Sequence, residues 1–183
     1  MIRILDVIIS IFSIALLSPL LILVYVIGLF DTGKPIFIQK RLGRNQNVFD
    51  LIKFRTMSLN TASVGTHEVN PASITRFGKF LRKSKIDELP QLINVIIGDM
   101  SLVGPRPCLP NQDKVIEARD INNVFSVRPG VTGLAQINKI DMSTPILLAS
   151  TDNDMITNYS IKNYFYYIFL TLMGRGSGDR VKE

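Results

Sequence analysis

The stretch Ser84–Pro107, SKIDELPQLINVIIGDMSLVGPRP, decides how the rest of this chain is interpreted. It contains the only adjacent pair of acidic residues in the sequence, Asp87 and Glu88. A basic run precedes this pair, and Arg106 follows it between two prolines that restrict the backbone on both sides. Because cations around paired carboxylates suit the binding of phosphate, we expect this stretch to carry chemistry on a phosphate group.

The same stretch also has a purely structural interpretation. Ser84 and Asp87 have the spacing of a helix capping box, and Pro90 suits the first turn of a helix. Apolar residues then recur at helical spacing, which predicts a helix from about Asp87 to Gly98. A single acidic residue is enough to complement the dipole of such a helix, and two beside several cations exceed that need.

Two kinds of chemistry suit these carboxylates. An aspartate has an unperturbed pKa of ~3.9, so Asp87 is ionised at neutral pH and is able to attack phosphorus without a general base. Alternatively, a carboxylate binds Mg²⁺, and the metal neutralises a substrate diphosphate. In either case the neighbouring cations would bind the remaining phosphate charge.

The bulk composition favours anionic partners and a lipid surface. The net charge is +6, hydrophobic residues make up 46% of the chain, and mean hydropathy is +0.24, which is high for a soluble domain. The single cysteine, Cys108, excludes an internal disulfide, and the single histidine, His67, excludes a histidine-based metal cluster.

The N-terminal segment Val7–Phe30 carries no charged residue and exceeds the ~20 residues that cross a bilayer as a helix. Ser18-Pro19 near its middle predicts a kink. A kinked span and a re-entrant hairpin fit the residues equally well, and Arg3 and Asp6 at the membrane interface would suit both. Basic residues follow the segment and predict a cytoplasmic location for the rest of the chain.

Two short strands are predicted after this segment, at Pro35–Lys40 and Val48–Phe54, with a turn between them. Lys53 and Arg55 flank Phe54, so their side chains are expected on the strand face opposite that ring. The two cations belong either to a solvated strand face or to a site for phosphate.

The segment Ile74–Lys85 predicts a basic amphipathic helix with Phe77 and Leu81 on its apolar face. Such a helix suits an anionic membrane surface. Binding of nucleic acid is disfavoured because no aromatic platform or recognised DNA-binding pattern accompanies it. The polar segment Ser58–Ser73 before it predicts a loop that could cover a site, with His67 as an ordinary loop residue.

Together these pieces resemble the bacterial sugar transferase family, the monotopic phosphoglycosyl transferases that begin lipid-linked glycan assembly. The resemblance covers about residues 1–172 and rests on the apolar N-terminus with Ser18-Pro19, on KFRTM at Lys53–Met57, on the block Asp87–Pro107, and on RPGVTGLAQIN at Arg128–Asn138. It implies transfer of a phosphosugar from a UDP-sugar to undecaprenyl phosphate, with release of UMP. That reaction is the first membrane step of a bacterial surface glycan pathway.

The resemblance also assigns roles to the acidic pair. Asp87 would be the nucleophile that forms a covalent phosphosugar intermediate, and Glu88 would assist the second half of the reaction. Mg²⁺ would be bound at Asp87 and would bridge the substrate diphosphate. The N-terminal helix would be re-entrant, with Ser18 and Pro19 at the apex of the hairpin.

Further substrate contacts follow from the same resemblance. Arg82 and Arg106 would lie near substrate phosphates, and Arg128 with its Pro-Gly loop would lie near the nucleotide. The segment Lys139–Met142 departs from the Gly-Arg often seen in the family, which leaves recognition of the sugar open. The full set of expected substrate-binding residues is Lys53, Arg55, Arg82, Arg106, Arg128, Gly130, Thr132 and Gln136.

The expected fold class is α/β (α+β), a compact helix-rich domain with a small antiparallel sheet and interfacial amphipathic helices. We expect residues 1–30 to form the membrane hairpin, 31–173 the catalytic domain on the cytoplasmic face of the bacterial inner membrane, and 174–183 a flexible tail. The segment Ile156–Leu172 predicts an interfacial or core helix. The expected partners are a UDP-sugar, undecaprenyl phosphate and membrane lipid; the oligomeric state is not determined.

Two other functions use the same residues. A membrane-bound, Mg²⁺-dependent phosphatase or pyrophosphatase would also use Asp87, with water in place of the lipid phosphate. A non-catalytic membrane scaffold would use the basic helices alone to recruit a partner.

Overall fold

The computed structural model describes residues 2–59, 61 and 71–176. Most of the loop expected at Ser58–Ser73, including His67, lies outside the described residues, as does the tail from residue 177. The helices and strands of the described residues are α1 (Ile2–Thr32), β1 (Ile36–Leu42), β2 (Val48–Phe54), α2 (Arg76–Ser84), α3 (Gln91–Ile97), β3 (Ser101–Val103), α4 (Asp113–Ile121), β4 (Gly130–Thr132), α5 (Leu134–Ile137), α6 (Pro145–Thr157) and α7 (Ile161–Leu172).

Strands β1 and β2 form the expected antiparallel hairpin, with Ile36 opposite Phe54 and Leu42 opposite Val48. The predicted helix-rich fold with a small antiparallel sheet is therefore confirmed. A second pair, β3 and β4, is parallel and was not predicted. Each of these strands has three residues, which is too short for an alternating pattern to be read from the sequence.

The helix predicted from Asp87 to Gly98 begins later than expected. A 3₁₀ turn, Ile86–Glu88, comes first, and α3 begins only at Gln91. Ser84 is the last residue of α2, and its hydroxyl donates to carbonyls of its own helix, so the predicted capping box is wrong. Lys85 adopts a left-handed conformation (φ 58°) that ends α2 and turns the chain. Gly98 (φ 106°) ends α3 as expected.

Helix α2 is capped by Thr75, whose hydroxyl accepts a hydrogen bond from the Gly78 backbone N–H at 2.8 Å. Its Leu81 is buried and its basic residues Arg76, Lys79 and Lys83 are exposed, which confirms the predicted amphipathic character, although Phe80 is exposed as well. Gly78 is required for packing, because a Cβ atom at this position would lie 2.0 Å from the Thr56 carbonyl oxygen. The glycine therefore lets α2 lie directly against the end of the hairpin.

Helix α1 runs without interruption through Ser18-Pro19. Proline has no N–H to donate, so the carbonyl of Ala15 loses its usual helical partner. The Ser18 hydroxyl donates to that carbonyl at 2.8 Å and replaces the missing hydrogen bond. The helix is long and apolar enough to cross a membrane, and only 11% of its most apolar window is buried against the protein.

The N-terminal end of α1 is fixed to α3. The guanidinium of Arg3 donates to the carbonyls of Val95 at 2.6 Å and Ile96 at 2.9 Å, which lie in the last turn of α3. The last carbonyls of a helix have no helical partner, so this cation satisfies groups that would otherwise be unpaired.

Asp6 is 2% exposed and forms the second polar contact of α1. Its carboxylate accepts hydrogen bonds from the Ser101 hydroxyl (2.8 Å), the Leu102 backbone N–H (3.1 Å) and the Tyr164 hydroxyl (2.9 Å). Asp6 is therefore buried inside the protein, which the sequence did not indicate. The carboxylate is used to join α1, β3 and α7.

The C-terminal half of α1 packs on the same body of protein. Val24 is buried in a cluster with Phe54 and Leu81. Gly28 lies against Pro35, where a Cβ atom would approach the proline ring to 2.7 Å. Both ends of α1 therefore contact the residues that follow it in the chain.

The helix expected over Ile156–Leu172 is two helices. α6 ends at Thr157, and α7 begins after Ser160, whose hydroxyl accepts a hydrogen bond from the Asn163 backbone N–H at 3.1 Å. α7 buries Tyr164 and Tyr167 in the main core and exposes Phe165, Phe169 and Leu172. One face of α7 therefore packs in the core, and a core helix was one of the two alternatives predicted for this segment.

A buried ion pair, which the sequence analysis did not identify, joins α4 to α6. Arg119 and Asp152 are 2% and 1% exposed, and the distance from Nη2 to Oδ2 is 2.7 Å. Nη1 of Arg119 also donates to the Arg106 carbonyl at 2.7 Å. The pair therefore holds the backbone at Arg106, which belongs to the stretch Ser84–Pro107.

Replacing Asp152 by asparagine is expected to destabilise the protein by about 3–5 kcal/mol, because Arg119 would keep a buried charge without its counter-charge. The measurement is thermal unfolding of both proteins in the same detergent. Asp154→Asn is the matched control, since Asp154 lies on the same helix and is exposed. Equal unfolding temperatures for Asp152→Asn and Asp154→Asn would contradict the assigned role of the pair.

Candidate active site

A cavity of about 680 Å³ lies at the turn between α2 and α3. Its wall combines charged and apolar side chains. The charged groups come from the turn, the hairpin and the segment around Arg106, and the apolar groups include residues of α1 and α7. The charged lining is Arg41, Lys53, Arg82, Lys83, Lys85, Asp87, Glu88, Arg106 and Asp141. The apolar lining includes Ile9, Leu17, Leu89, Leu92, Ile168 and Leu172.

Asp87 is 8% exposed, in the 3₁₀ turn that follows the left-handed Lys85. Burial and the neighbouring charge of Glu88 raise the pKa of Asp87 to about 7, against the opposing charges of Lys53 and Arg82. A carboxyl group with this pKa exchanges its proton near neutral pH, which is typical of catalytic groups.

The pKa of Glu88 is shifted in the opposite direction to that of Asp87. Burial alone would raise its pKa, but the charge and hydrogen bond of Arg106, together with Lys85, lower the pKa of Glu88 below its usual value. The distance from Glu88 Oε1 to Arg106 Nη2 is 2.7 Å. Adjacent carboxyl groups with pKa values moved in opposite directions are a recurring sign of divided catalytic roles.

Lys53 lies in the cavity and Arg55 does not. Burial and the charge of Arg41 lower the pKa of Lys53 to about 8, while Asp87 acts in the opposite direction. The guanidinium of Arg55 donates to the carbonyls of Lys34 at 2.8 Å and Ile36 at 3.2 Å. Arg55 therefore holds the start of β1 in place. It lies over the Phe37 ring, as Lys53 does, at 5.1 and 5.4 Å from the ring centre, but it does not line the cavity.

Only part of the segment Arg128–Gln136 lines the cavity. Nε of Arg128 donates to the Gly98 carbonyl at 2.8 Å, behind the cavity, so the structure does not place Arg128 in the cavity wall. The backbone N–H of Gly130 donates to the Pro105 carbonyl at 2.9 Å. A Cβ atom at Gly130 would lie 2.0 Å from the backbone nitrogen of Gly104, so this glycine permits contact between two backbone segments.

Thr132 and Gln136, which were predicted to bind substrate, both line the cavity. The Gln136 amide donates to the Val131 carbonyl at 2.9 Å, and the Thr132 hydroxyl is hydrogen-bonded to the hydroxyl of Thr171. Arg82 and Arg106 also lie in the wall. The structure thus brings together the predicted residues Lys53, Arg82, Asp87, Glu88, Arg106, Thr132 and Gln136.

Several cavity residues were not predicted. Arg41 is 6% exposed, and in the sequence it is one of many basic residues with no motif that singles it out. The signal that could have found it is the alternation of β1, which places the polar residues Gln39 and Arg41 on one face. Residues Ile140–Met142 line the cavity as well, as do Gly174 and Gly176 of the segment expected to be a flexible tail.

The acidic pair suits Mg²⁺ only together with substrate. Within the described residues no group of three or more His, Cys, Asp or Glu side chains is close enough to hold a metal. Mg²⁺ is commonly bound by one or two carboxylates together with substrate phosphates and water. Since Arg106 already engages Glu88, Asp87 with diphosphate oxygens is the donor set that fits.

Comparison with known proteins identifies the family. The sequence matches the bacterial sugar transferase family over residues 1–175. It is 34% identical to an uncharacterized sugar transferase of Haemophilus influenzae, over 93% of this chain and 40% of that protein. It is 32% identical to the undecaprenyl-phosphate galactose phosphotransferase of Salmonella typhimurium, over 92% of this chain and 39% of that protein. This chain belongs to the bacterial sugar transferase family.

A third relative has a length closer to that of this chain. The exopolysaccharide production protein ExoY of Sinorhizobium fredii is 35% identical over 94% of this chain and 85% of that protein. The chain spans less than half of the Haemophilus and Salmonella relatives. The family match over residues 1–175 contains every lining residue of the cavity except Gly176, so the similarity includes the site itself.

Replacing Lys53 by methionine is expected to raise the pKa of Asp87 above about 7, because a nearby positive charge that favours the ionised carboxylate is lost. The measurement is a pH titration of the ¹³C carboxyl signal of labelled aspartate, assigned with Asp87→Asn. Lys40→Met is the control, since Lys40 lies on the same hairpin and is exposed. A signal that titrates unchanged in Lys53→Met would show that the two groups do not interact.

Proposed function

We propose that this chain transfers a sugar phosphate from a UDP-sugar to undecaprenyl phosphate, with release of UMP. The observation that carries the proposal is the buried carboxylate of Asp87 in a cavity with cations on one part of its wall and apolar side chains on another. Relatives named for this type of reaction include the UDP-glucose:undecaprenyl-phosphate glucose-1-phosphate transferase of Caulobacter vibrioides, which is 41% identical over 74% of this chain.

The charge of the cavity supports a phosphate substrate. Its wall contains six cationic side chains and three carboxylates. A nucleoside diphosphate sugar and a lipid phosphate both carry negative charge, which this excess of positive charge would bind. Apolar residues from α1 and α7 in the same wall suit the first carbons of a polyprenyl chain.

In the first half of the reaction, an Asp87 oxygen attacks the phosphorus atom that is bonded to the sugar. A bond forms between that oxygen and phosphorus, and the bond from phosphorus to the bridging oxygen breaks. UMP leaves with the electron pair of the broken bond, and the sugar phosphate remains on Asp87 as an acyl phosphate. Because burial raises the pKa of Asp87 to about 7, part of this group is protonated at neutral pH before substrate binds, in contrast to the full ionisation expected from the unperturbed value.

In the second half, an oxygen of undecaprenyl phosphate attacks the same phosphorus atom. The bond to Asp87 breaks, its carboxylate is regenerated, and undecaprenyl diphosphate sugar is released. The lowered pKa of Glu88 makes this residue ionised but weakly basic. Glu88 therefore acts mainly by holding Arg106 at 2.7 Å, where the guanidinium can bind the acceptor phosphate.

Mg²⁺ bound at Asp87 would neutralise part of the diphosphate charge. The residues of this chain supply the rest of that neutralisation through Lys53, Arg82 and Arg106, which line the same cavity. The carboxylate and the phosphate oxygens provide the hard oxygen ligands that this ion requires.

We also propose that α1 is re-entrant and that the catalytic domain lies on the cytoplasmic face of the inner membrane. A straight helix of 31 residues would be ~46 Å long, and a span would carry Arg3 to the opposite side of the membrane. Instead Arg3 contacts α3, and Gly28 contacts Pro35. The Ser18 hydroxyl satisfies a backbone carbonyl at the deepest part, where water is absent.

Asp87→Asn is expected to lower UMP release and formation of the phosphosugar-labelled enzyme by at least about 1000-fold, because the amide is not a nucleophile. The measurement uses a panel of radiolabelled UDP-sugars with and without undecaprenyl phosphate. Asp113→Asn is the control, since Asp113 is exposed on α4. An unchanged rate in Asp87→Asn would remove this residue from the mechanism, and discharge of the labelled enzyme by water alone would instead indicate a phosphatase.

The topology has its own test. A cysteine inserted directly before Ile2 is expected to react with an impermeant thiol reagent only from the cytoplasmic side, as Lys34→Cys should, because both ends of α1 lie on one face. Wild-type protein is the background control, since its single cysteine, Cys108, is fully buried. Reaction at the new N-terminal cysteine from the periplasmic side only would eliminate the re-entrant arrangement.

A further inference from the structure

Arg41 is a buried cation in the wall of the cavity and has only neutral partners. It is 6% exposed and lines the cavity together with Lys53 and Arg106. Nη1 donates to the Pro107 carbonyl at 3.1 Å, and Nη2 donates to Oε1 of Gln39 at 2.6 Å. Its Nε has no hydrogen-bond partner, and no carboxylate of the described residues lies within ion-pair distance.

Arg119 provides an internal comparison. It is also buried, and it donates to the Arg106 carbonyl at 2.7 Å, next to the carbonyl that Arg41 contacts. The charge of Arg119, however, is matched by Asp152 at 2.7 Å. Two buried arginines thus hold the same short segment, and the one without a carboxylate is the one that faces the cavity.

A buried charge without an ion-pair partner costs free energy, and the charge of Glu88 in the same cavity offsets only part of that cost, so the retention of Arg41 requires an explanation. Burial, together with the charge of Arg106, lowers the pKa of Arg41 to about 10. The group is still protonated at neutral pH and would be stabilised by an anion in the cavity. A guanidinium has five N–H donors in a planar fork that matches phosphate oxygens. Arg41 donates hydrogen bonds to neutral acceptors from two of its nitrogens, Nη1 and Nη2.

We infer that Arg41 is a catalytic residue that contacts a phosphate group of the donor diphosphate. This inference rests on the proposed function, because the donor supplies the phosphorus atom that Asp87 attacks. Negative charge develops on the departing UMP as the bond from phosphorus to the bridging oxygen breaks. A fixed cation in a buried site stabilises such charge more strongly than an exposed one.

The test compares charge with hydrogen bonding at this position. Arg41→Gln keeps a donor that is able to reach a neutral carbonyl but removes the charge, and Arg41→Lys keeps the charge. The measured quantity is the rate of enzyme labelling by saturating UDP-sugar without undecaprenyl phosphate. We expect a loss of about 100-fold or more in Arg41→Gln, a smaller loss in Arg41→Lys, and a rate within about twofold of wild type in Arg44→Gln.

Arg44 is the matched control, since it is exposed in the turn of the same hairpin. A rate in Arg41→Gln equal to that of wild type or of Arg41→Lys would overturn the inference. A defect confined to the step that requires undecaprenyl phosphate would overturn it too, by assigning Arg41 to the acceptor.

A direct binding measurement separates this inference from the proposed function. In the Asp87→Asn background, Arg41→Gln is expected to weaken binding of the UDP-sugar by at least about tenfold in calorimetric titration. If Asp87→Asn binds no UDP-sugar and wild type releases no UMP, the proposed function fails. If both occur but the Arg41 variants bind and react like wild type, only the inference fails.

The conservative variant keeps the test decisive even if Arg41→Gln does not fold. A lysine at this buried position should have a lowered pKa, so labelling by Arg41→Lys should fall more steeply at alkaline pH than in wild type, whose own profile already includes deprotonation of Lys53 with its pKa of about 8. A purely structural role would change the unfolding temperature without changing this pH profile. A pH profile identical to that of wild type would overturn the inference.

Discussion

The burial of Asp87 beside a second carboxylate is the constraint on which the rest of the site depends. A carboxylate in this position is tolerated only among compensating cations, and Lys53, Arg82 and Arg106 supply them from the hairpin, α2 and the segment after β3. The left-handed Lys85 allows α2 to end directly before the turn that carries the acidic pair. The elements around the turn Ile86–Glu88 therefore hold the acidic pair and its cations close together and largely away from water.

A second buried carboxylate, Asp6, has a different task. It joins the N-terminal half of α1 to β3 and α7 through three hydrogen bonds, while Arg3 holds the end of α3. These polar contacts lie in the same body of protein as the apolar packing of Leu92, Val95 and Tyr164. The helix that contributes an apolar wall to the cavity is thus attached rigidly to the residues that carry the charged wall.

The sequence predicted the elements whose pattern is local. The hairpin, the amphipathic α2 and the apolar α1 were all correctly expected, because the first two show a periodic pattern within a few residues and α1 is a long run without charged residues. The predictions failed where tertiary packing decides. Ser84 proved to be the last residue of a helix and no cap, and the helix predicted from Asp87 begins only at Gln91.

By itself the sequence determined which groups were available for chemistry: an acidic pair, a set of cations and an apolar segment, in the order shared with the bacterial sugar transferase family. Only the tertiary structure decided which cations reach the pair. Lys53 and Arg55 look equivalent in the sequence, yet one lines the cavity and the other holds backbone carbonyls at the start of β1. The reason is physical, since the environment of a side chain depends on residues distant in the chain: Asp152 of α6 pairs with the buried Arg119, and no carboxylate of the described residues forms an ion pair with the buried Arg41.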